Sequence, residues 1–426
     1  MPLDRGIFES SPDRPSALEE QGHAAEQFLL RLGALLHAYG TPADQLEAEL
    51  AAIAAGRGVE GAHFLSTPTG LQVAFGPLHA QRVHLMRVPP GETALAKLCE
   101  LQDIAEAVRS GRLNEEAATI ALERVAARSP RFGRGAVAFA FGVASAGAAR
   151  FFGGGLLEVA LTFALAIVVA SLPRLLGQRR NPIGLFEPLA GFLAAFFAAA
   201  LARVLPVQAS ILTLASLVVL LPGLSLTLAF AELAARHLVS GTARLFGAAT
   251  TFLGLTLGIA LAHALATRVL PEALIVEPTN LPPWTFYAAV LVTPPAFAVL
   301  FQARMRELPW IFASGICGLC GAFLGKLLFG PMLAGFVGAL LVGLVGEVYV
   351  RTKRGPALVA TLPGLLMLVP GSIGLESLTL FLAEDSQHGV EGAFRTVLAA
   401  LALVGGILTA RAMLPTRVQR VGLRAR

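Results

Sequence analysis

Of the 426 residues, 55% are hydrophobic and only 14% carry charge, with a mean hydropathy of +0.69. Ordinary soluble domains carry charge on about 25% of their residues, and a particle of this size has too little interior to hide the remainder, so a wholly soluble protein is excluded. The formal net charge of +5 sits mostly on arginines at the ends of apolar segments, with no basic cluster interleaved with aromatics, which points to membrane topology and away from nucleic acid.

Residues 1–21 are polar and rich in Pro and Ser, and they lack the apolar run of a signal peptide, so they read as a disordered tail. Residues 22–130 read as a small α+β domain. Phe28, Leu32, Leu35 and Leu36 recur at helical spacing until Gly40 ends the run. A second helix starts with Thr41 as N-cap, Pro42 at the first position and Asp44 near the positive end, and it breaks at Gly56. Strands are expected at Gly61–Thr67, Leu71–Phe75 and about 81–88, with a Pro68-Thr69-Gly70 turn between the first two. Two further helices follow, near 92–108 and 114–127. The hairpin gathers His63, Ser66, Thr67 and Thr69, so His63, Thr67 and Thr69 are the candidate site of this domain, although no nucleophile, base and orienter stand at a diagnostic spacing.

After Arg134 long apolar segments alternate with short punctuation, at 135–150, 155–172, 185–203, 209–234, 242–266, 284–302, 310–328, 331–350, 356–382 and 392–411. Ten crossings are therefore expected, in an all-α polytopic membrane domain, with Arg150 and Gly153–Gly155 leaving the first two segments as either a tight hairpin of two crossings or a re-entrant element. Arg174, Arg179, Arg180, Arg236, Arg304, Arg306, Arg351, Lys353, Arg354 and the arginines of the tail 413–426 then fall on one side, while the other holds mainly Arg150, Arg203 and Arg268, joined by Glu272, Glu277, Glu384 and Asp385. The positive-inside rule places both termini and the α+β domain in the cytoplasm. Cys317 and Cys320 form a CxxC inside an apolar segment without further ligands, and no P-loop occurs, so no metal, cofactor or enzymatic activity is expected.

Leu221-Pro222-Gly223 followed by Gly241 matches Val369-Pro370-Gly371 followed by Gly389, 148 residues further on. Two five-helix repeats follow from that offset, 131–283 and 284–412, and an odd number of crossings makes them inverted, an architecture of secondary transporters. Each Pro-Gly pair interrupts an overlong apolar segment, because proline lacks an N–H and glycine tolerates the distortion. The freed backbone groups are candidates to hold a small zwitterion or a coupling cation. Pro222, Gly223, Ser225, Thr227, Pro370, Gly371, Ser372 and Ser377 are the expected substrate contacts, and Glu376 is the expected proton carrier, since an acid inside such a segment is costly unless paired, hydrated or protonated. Glu158, Glu187, Glu232, Lys326 and Glu347 are further embedded charges.

Phe28-Leu29-Leu30-Arg31-Leu32-Gly33 before the Gly40 break, the Phe64 to Gly70 stretch, and the Leu221-Pro222-Gly223 and Leu368-Val369-Pro370-Gly371-Ser372 segments together resemble the bacterial threonine/serine exporter family. The resemblance implies a ten-helix inner-membrane protein that exports threonine and serine by the proton motive force, with Thr67, Pro68, Thr69 and Gly70 as family-like positions. The partners it implies are a small amino acid, the proton and the lipid bilayer; a homo-oligomer is left open. A split relative associated with succinate keeps a dicarboxylate exporter as one alternative, for which Lys326 and Arg395 would matter. A membrane scaffold or sensor with a partner-binding cytoplasmic domain is the other.

Overall fold

The computed structural model describes residues 17–89, 91, 93–175, 184–271, 274, 281–368, 371–382 and 386–414. Pro370, Arg179, Arg180, Glu272, Glu277, Glu384, Asp385 and the arginines from Arg417 onward lie outside these residues. The N-terminal unit runs α1 (Ala17–Ala38), α2 (Ala43–Gly56), β1 (His63–Thr67), β2 (Gly70–Phe75), β3 (Arg82–Arg87), α3 (Leu95–Arg109) and α4 (Glu115–Ala127). Helix α1 starts inside the stretch expected to be tail, since Ala17-Leu18-Glu19-Glu20 are good helix formers once Pro15 is passed. Helix α4 begins as its sequence dictates: the Asn114 side chain accepts the Ala117 N–H at 3.0 Å, and Glu115 and Glu116 face the positive end.

The three strands form an antiparallel meander in which Leu65, Gln72 and Leu85 are aligned. Leu71, Val73 and Phe75 of β2 turn inward onto Phe28, Leu32, Leu46, Leu50 and Leu98. That core does not stop at residue 130. It continues without a gap into Ala298, Ile311, Tyr349, Val359 and Leu362 of the helices beyond, so the N-terminal unit is joined to them by apolar contact.

The remaining helices are α5 (Arg134–Phe151), α6 (Leu156–Leu175), α7 (Phe186–Val204), α8 (Ala209–Leu217), α9 (Gly223–Ala234), α10 (Leu238–Val269), α11 (Trp284–Leu300), α12 (Leu308–Phe329), α13 (Ala334–Lys353), α14 (Leu358–Leu366), α15 (Gly371–Leu382) and α16 (Ser386–Met413). Among the described residues seven helices are long and apolar enough to cross a membrane, or eight if the bent α8–α9 pair is one span. The other two of the ten expected crossings are α5 and α11. Helix α5 is rich in Ala and Gly between Arg134 and Arg150, and α11 has 17 residues, about 26 Å of helix against a hydrocarbon core of roughly 30 Å.

Glycines set the closest approaches. Gly258 of α10 lies against the Pro188 carbonyl and Phe192 amide of α7, while Gly406 of α16 lies against the Phe336 carbonyl and Leu340 amide of α13, and every member of the first set is 148 residues from its counterpart. A Cβ at either glycine would collide with backbone, so only glycine permits these helix pairs. Gly258→Leu and Gly406→Leu should each cost about 1–3 kcal/mol of stability, read as a lower melting temperature of the purified protein in detergent. Gly247→Leu, whose Cβ meets open space, should leave it unchanged.

Candidate translocation site

An interruption falls in each half. Helix α8 tightens into a 3-10 turn at Val218–Leu220, the chain turns at Pro222, and α9 leaves at 51° to the preceding helix. In the second half α14 ends at Leu366 and α15 begins at Gly371. The two breaks touch: a Cβ on Gly371 would lie 3.0 Å from Leu221 Cβ and 3.6 Å from Gly223 Cα. The N-termini of α9 and α15 therefore converge on one buried spot, where their free amides and helix dipoles add.

The polar side chains around this crossing are distributed unequally. Thr227 is fully buried and donates to the Gly223 carbonyl at 3.0 Å, while Ser377 is buried and donates to the Gly389 carbonyl across to α16. Ser225 and Ser372 are half-buried, and among the described residues neither hydroxyl has a hydrogen-bond partner. Glu376 is exposed and lines a cavity of about 160 Å³ with Ile373, Ser377, His388, Glu391, Gly392 and Arg395. Arg395 is tied to Glu391 at 2.6 Å. Lys326 sits in the last turn of α12, outside this group.

The two hairpins that follow the breaks point opposite ways. The last turn of α16 reaches the N-terminal unit through an Arg411–Asp44 ion pair of 3.1 Å, so its first two turns, with His388 and Glu391, lie roughly 30–35 Å away. The α9–α10 hairpin instead lies against the N-terminal unit. There Glu232, 1% exposed, accepts from Ser240 at 2.9 Å, from Arg244 at 3.0 and 3.1 Å, and from the Ala43 N–H at 3.3 Å. Pro42, with Thr41 before it, occupies the N-cap of α2 and no side chain of its own element caps it. Thr41 is thus not the cap expected from sequence; a carboxylate 189 residues away from the capped amide takes that place. Glu47 of α2 faces His237 at 3.5 Å and accepts the Ser66 N–H at 2.7 Å. Burial pushes the Glu47 carboxyl up, and the Ser66 amide and His237 pull against it.

The expected site of the N-terminal domain does not assemble. His63 is exposed at the start of β1, and Thr67 is at its other end, roughly 13 Å away at strand rise. Thr67 donates to the Gly70 carbonyl at 3.2 Å, and its own carbonyl meets His37 Nε2 at 2.6 Å. Thr69 is exposed, and its carbonyl accepts the Val88 N–H. These threonines serve the turn. Glu158 acts just as locally, accepting the Gly155 and Gln208 amides at 3.0 and 3.1 Å and so joining the starts of α6 and α8. Among the described residues no group of three His, Cys, Asp or Glu is placed to hold a metal.

Sequence reasoning missed the partners of Glu232, although Glu232, Ser240 and Arg244 are spaced on a hairpin where an embedded acid demands a donor. Arg244→Met strands that buried carboxylate and should cost about 3 kcal/mol, whereas the pair of changes Glu232→Leu with Arg244→Met should recover most of the loss. Denaturant titration of the three proteins in detergent reads this directly; equal stability of the single and double variants would contradict the buried pairing.

Comparison with known proteins agrees with this architecture. Residues 27–266 match a family model described as "Putative threonine/serine exporter", and residues 286–413 match "Threonine/Serine exporter, ThrE". Among curated proteins, "Pheromone-regulated membrane protein 10" of Pichia sorbitophila is 27% identical over 365 residues, covering 83% of this chain and 36% of that protein. "Uncharacterized protein C7D4.12c" of Schizosaccharomyces pombe is 27% identical over 369 residues, 82% of this chain and 48% of the relative. The protein of Saccharomyces cerevisiae strain YJM789 that shares the first relative's name is 27% identical over 365 residues, 82% of this chain and 47% of its own length. The chain thus spans about a third to a half of the relatives it matches. No solved structure matches it significantly. A multi-pass helical membrane protein matched along both of its parts by these models, the chain belongs to the threonine/serine exporter family.

Proposed function

We propose that this protein exports small polar amino acids, threonine and serine, from the cytoplasm of a bacterium across the inner membrane, coupled to protons, by alternating access between two inverted five-helix halves. The observation that carries the reading is the meeting of two interrupted helices at Gly223 and Gly371, with the N-termini of α9 and α15 turned on the same spot. Converging helix N-termini favour an anionic group, and an amino-acid carboxylate meets that condition. The ammonium and hydroxyl then find the carbonyls released at each break and the hydroxyls of Ser225, Thr227, Ser372 and Ser377, with Pro222 keeping the first break open; Pro370, the other expected contact, lies outside the described residues. Support for the inversion comes from the glycine contacts repeated at an offset of 148 residues and from the opposite directions of the α9–α10 and α15–α16 hairpins. In this reading the N-terminal unit and both termini lie in the cytoplasm, and the cavity beside Glu376 opens on the other face.

Purified protein in liposomes should move labelled serine and threonine in exchange for protons, opposite to the flow of protons down an imposed gradient. Gly371→Val, which fills the approach to Leu221, should lower that flux at least about tenfold while the protein remains folded; undiminished flux would remove the crossing as the route. Succinate that competes fully with serine would favour a dicarboxylate substrate instead, since two helix N-termini suit two carboxylates as well as one.

Glu376 is the proposed proton carrier, in the company of His388, Glu391 and Arg395 from α16. Glu376→Gln should flatten the dependence of flux on pH with little effect on folding, because the group is exposed. A retained pH profile would take that role from it.

A further inference from the structure

At the end of the bundle away from the N-terminal unit, α5, α6 and α11 enclose a lateral groove of about 530 Å³. Its placement follows from the helix directions. Helix α5 leaves the N-terminal unit just after Phe132, whose N–H is held by Gln302 Oε1, and α11 returns there, since the Phe301 and Gln302 carbonyls accept the Leu95 and Ala96 amides. Arg150 and Trp284, at the opposite ends of these two helices, therefore mark the far rim. Trp284 and Tyr287 are 66% and 67% exposed, as aromatics are at a membrane interface.

The walls are apolar: Val143 and Ala146 of α5, Val159 and Phe163 of α6, and Ala288 and Val292 of α11. From Arg150 to Val143 and from Trp284 to Thr293 the lining extends over seven and nine residues, roughly 10–14 Å of helix. That is close to half of a hydrocarbon core of roughly 30 Å, so the groove spans one leaflet. At about 30 Å³ per water-sized group it takes roughly 18 methylenes, one acyl chain of ordinary length. Thr293 spends its hydroxyl on the Ala289 carbonyl at 2.8 Å, which leaves the polar chemistry to the rim. There Arg150 Nε donates to Thr285 Oγ1 at 2.7 Å, and Thr285 donates to the Pro282 carbonyl at 2.7 Å. Among the described residues no carboxylate pairs with Arg150, and its terminal nitrogens have no hydrogen-bond partner. Glu158, the acid of the same helical hairpin, is spent on the Gly155 and Gln208 amides.

An arginine held at the lipid boundary without a counter-charge is costly, and a guanidinium with two free nitrogens matches the oxygens of a phosphate. An apolar groove that opens beneath it matches the chain attached to that phosphate. We propose that the groove holds one anionic phospholipid, with its phosphate on Arg150 and one acyl chain between α5, α6 and α11. Charge selects this occupant, because a zwitterionic phospholipid brings its own ammonium to compete with Arg150 for the phosphate. The proposal rests on the chain crossing a membrane and not on the transport reading. Since α5 and α6 lie in the part matched by the first family model and α11 in the part matched by the second, the lipid bridges the two parts.

Trp284 borders the groove and is one of two tryptophans, so Trp310→Phe leaves it as the sole reporter. Full-length protein is placed in phosphatidylcholine nanodiscs doped with phosphatidylglycerol or phosphatidylcholine brominated near the carbonyl end of the chain. Brominated phosphatidylglycerol should quench Trp284 half-maximally at a mole fraction about tenfold lower than brominated phosphatidylcholine. Arg150→Gln should erase that preference. Ala160→Phe, which fills the groove from an exposed position on α6, should leave for both lipids only the quenching by the surrounding bilayer. Gly371→Val should change nothing, and a preference lost there would assign the signal to the helix crossing and overturn the proposal. Equal quenching by the two lipids at every fraction overturns it too, and reduces Arg150 to a side chain reaching for water. A preference that survives Arg150→Gln or Ala160→Phe in folded protein does the same, as does one that requires two protein copies in a disc. Should Arg150→Gln fail to fold, Ala160→Phe decides alone.

Discussion

An interrupted helix inside an apolar environment leaves amide and carbonyl groups that lipid cannot satisfy, and the arrangement of this protein is organised around that cost. Leu221-Pro222-Gly223 and Gly371 cover one another, so each break is shielded by the other and not by lipid. Bringing them together requires close helix approach on both flanks, and the glycines at 258 and 406 provide it by admitting the backbones of α7 and α13. The small residues and the helix breaks therefore belong to one solution.

The same logic governs the seam with the N-terminal unit. Helix α2 begins without a cap of its own and presents free amides to the membrane helices, where Glu232 accepts one of them while holding Ser240 and Arg244. Asp44 and Glu47, in the first turns of α2, add contacts to Arg411 and His237. Apolar packing of α3 around Tyr349, Ile311 and Val359 completes the seam. One face of the bundle is thus clamped by polar and apolar contacts together, whereas the polar group around Glu376 at the opposite end borders an open cavity. That asymmetry gives the two ends of the helix arrangement different chemistry.

Much of this was legible from the sequence. The three strands and four helices of the N-terminal unit follow from periodicity and turn residues, and the fourth helix, expected over 114–127, starts behind Asn114. The interruption at Pro222-Gly223 follows from proline chemistry alone, and the offset of 148 residues recurs in contacts such as Gly258 with Pro188 and Gly406 with Phe336. Thr41 as a cap and the cluster of His63 with Thr67 and Thr69 did not survive. The first failed because an acid from another element outcompeted the local hydroxyl, the second because a strand of five residues holds its ends apart.

What the sequence determined by itself is local: apolar length and periodicity decide which segments enter lipid, and proline and glycine decide where those segments must break, since both effects act within a turn or two of chain. What only the tertiary structure decided is which distant groups meet, because the Ala43 amide on Glu232 and the Leu221 side chain on Gly371 come from remote segments and are selected by packing. A buried acid advertises in sequence that a partner is required; the identity of a remote partner, such as the Ala43 amide on Glu232, is a property of the assembled core.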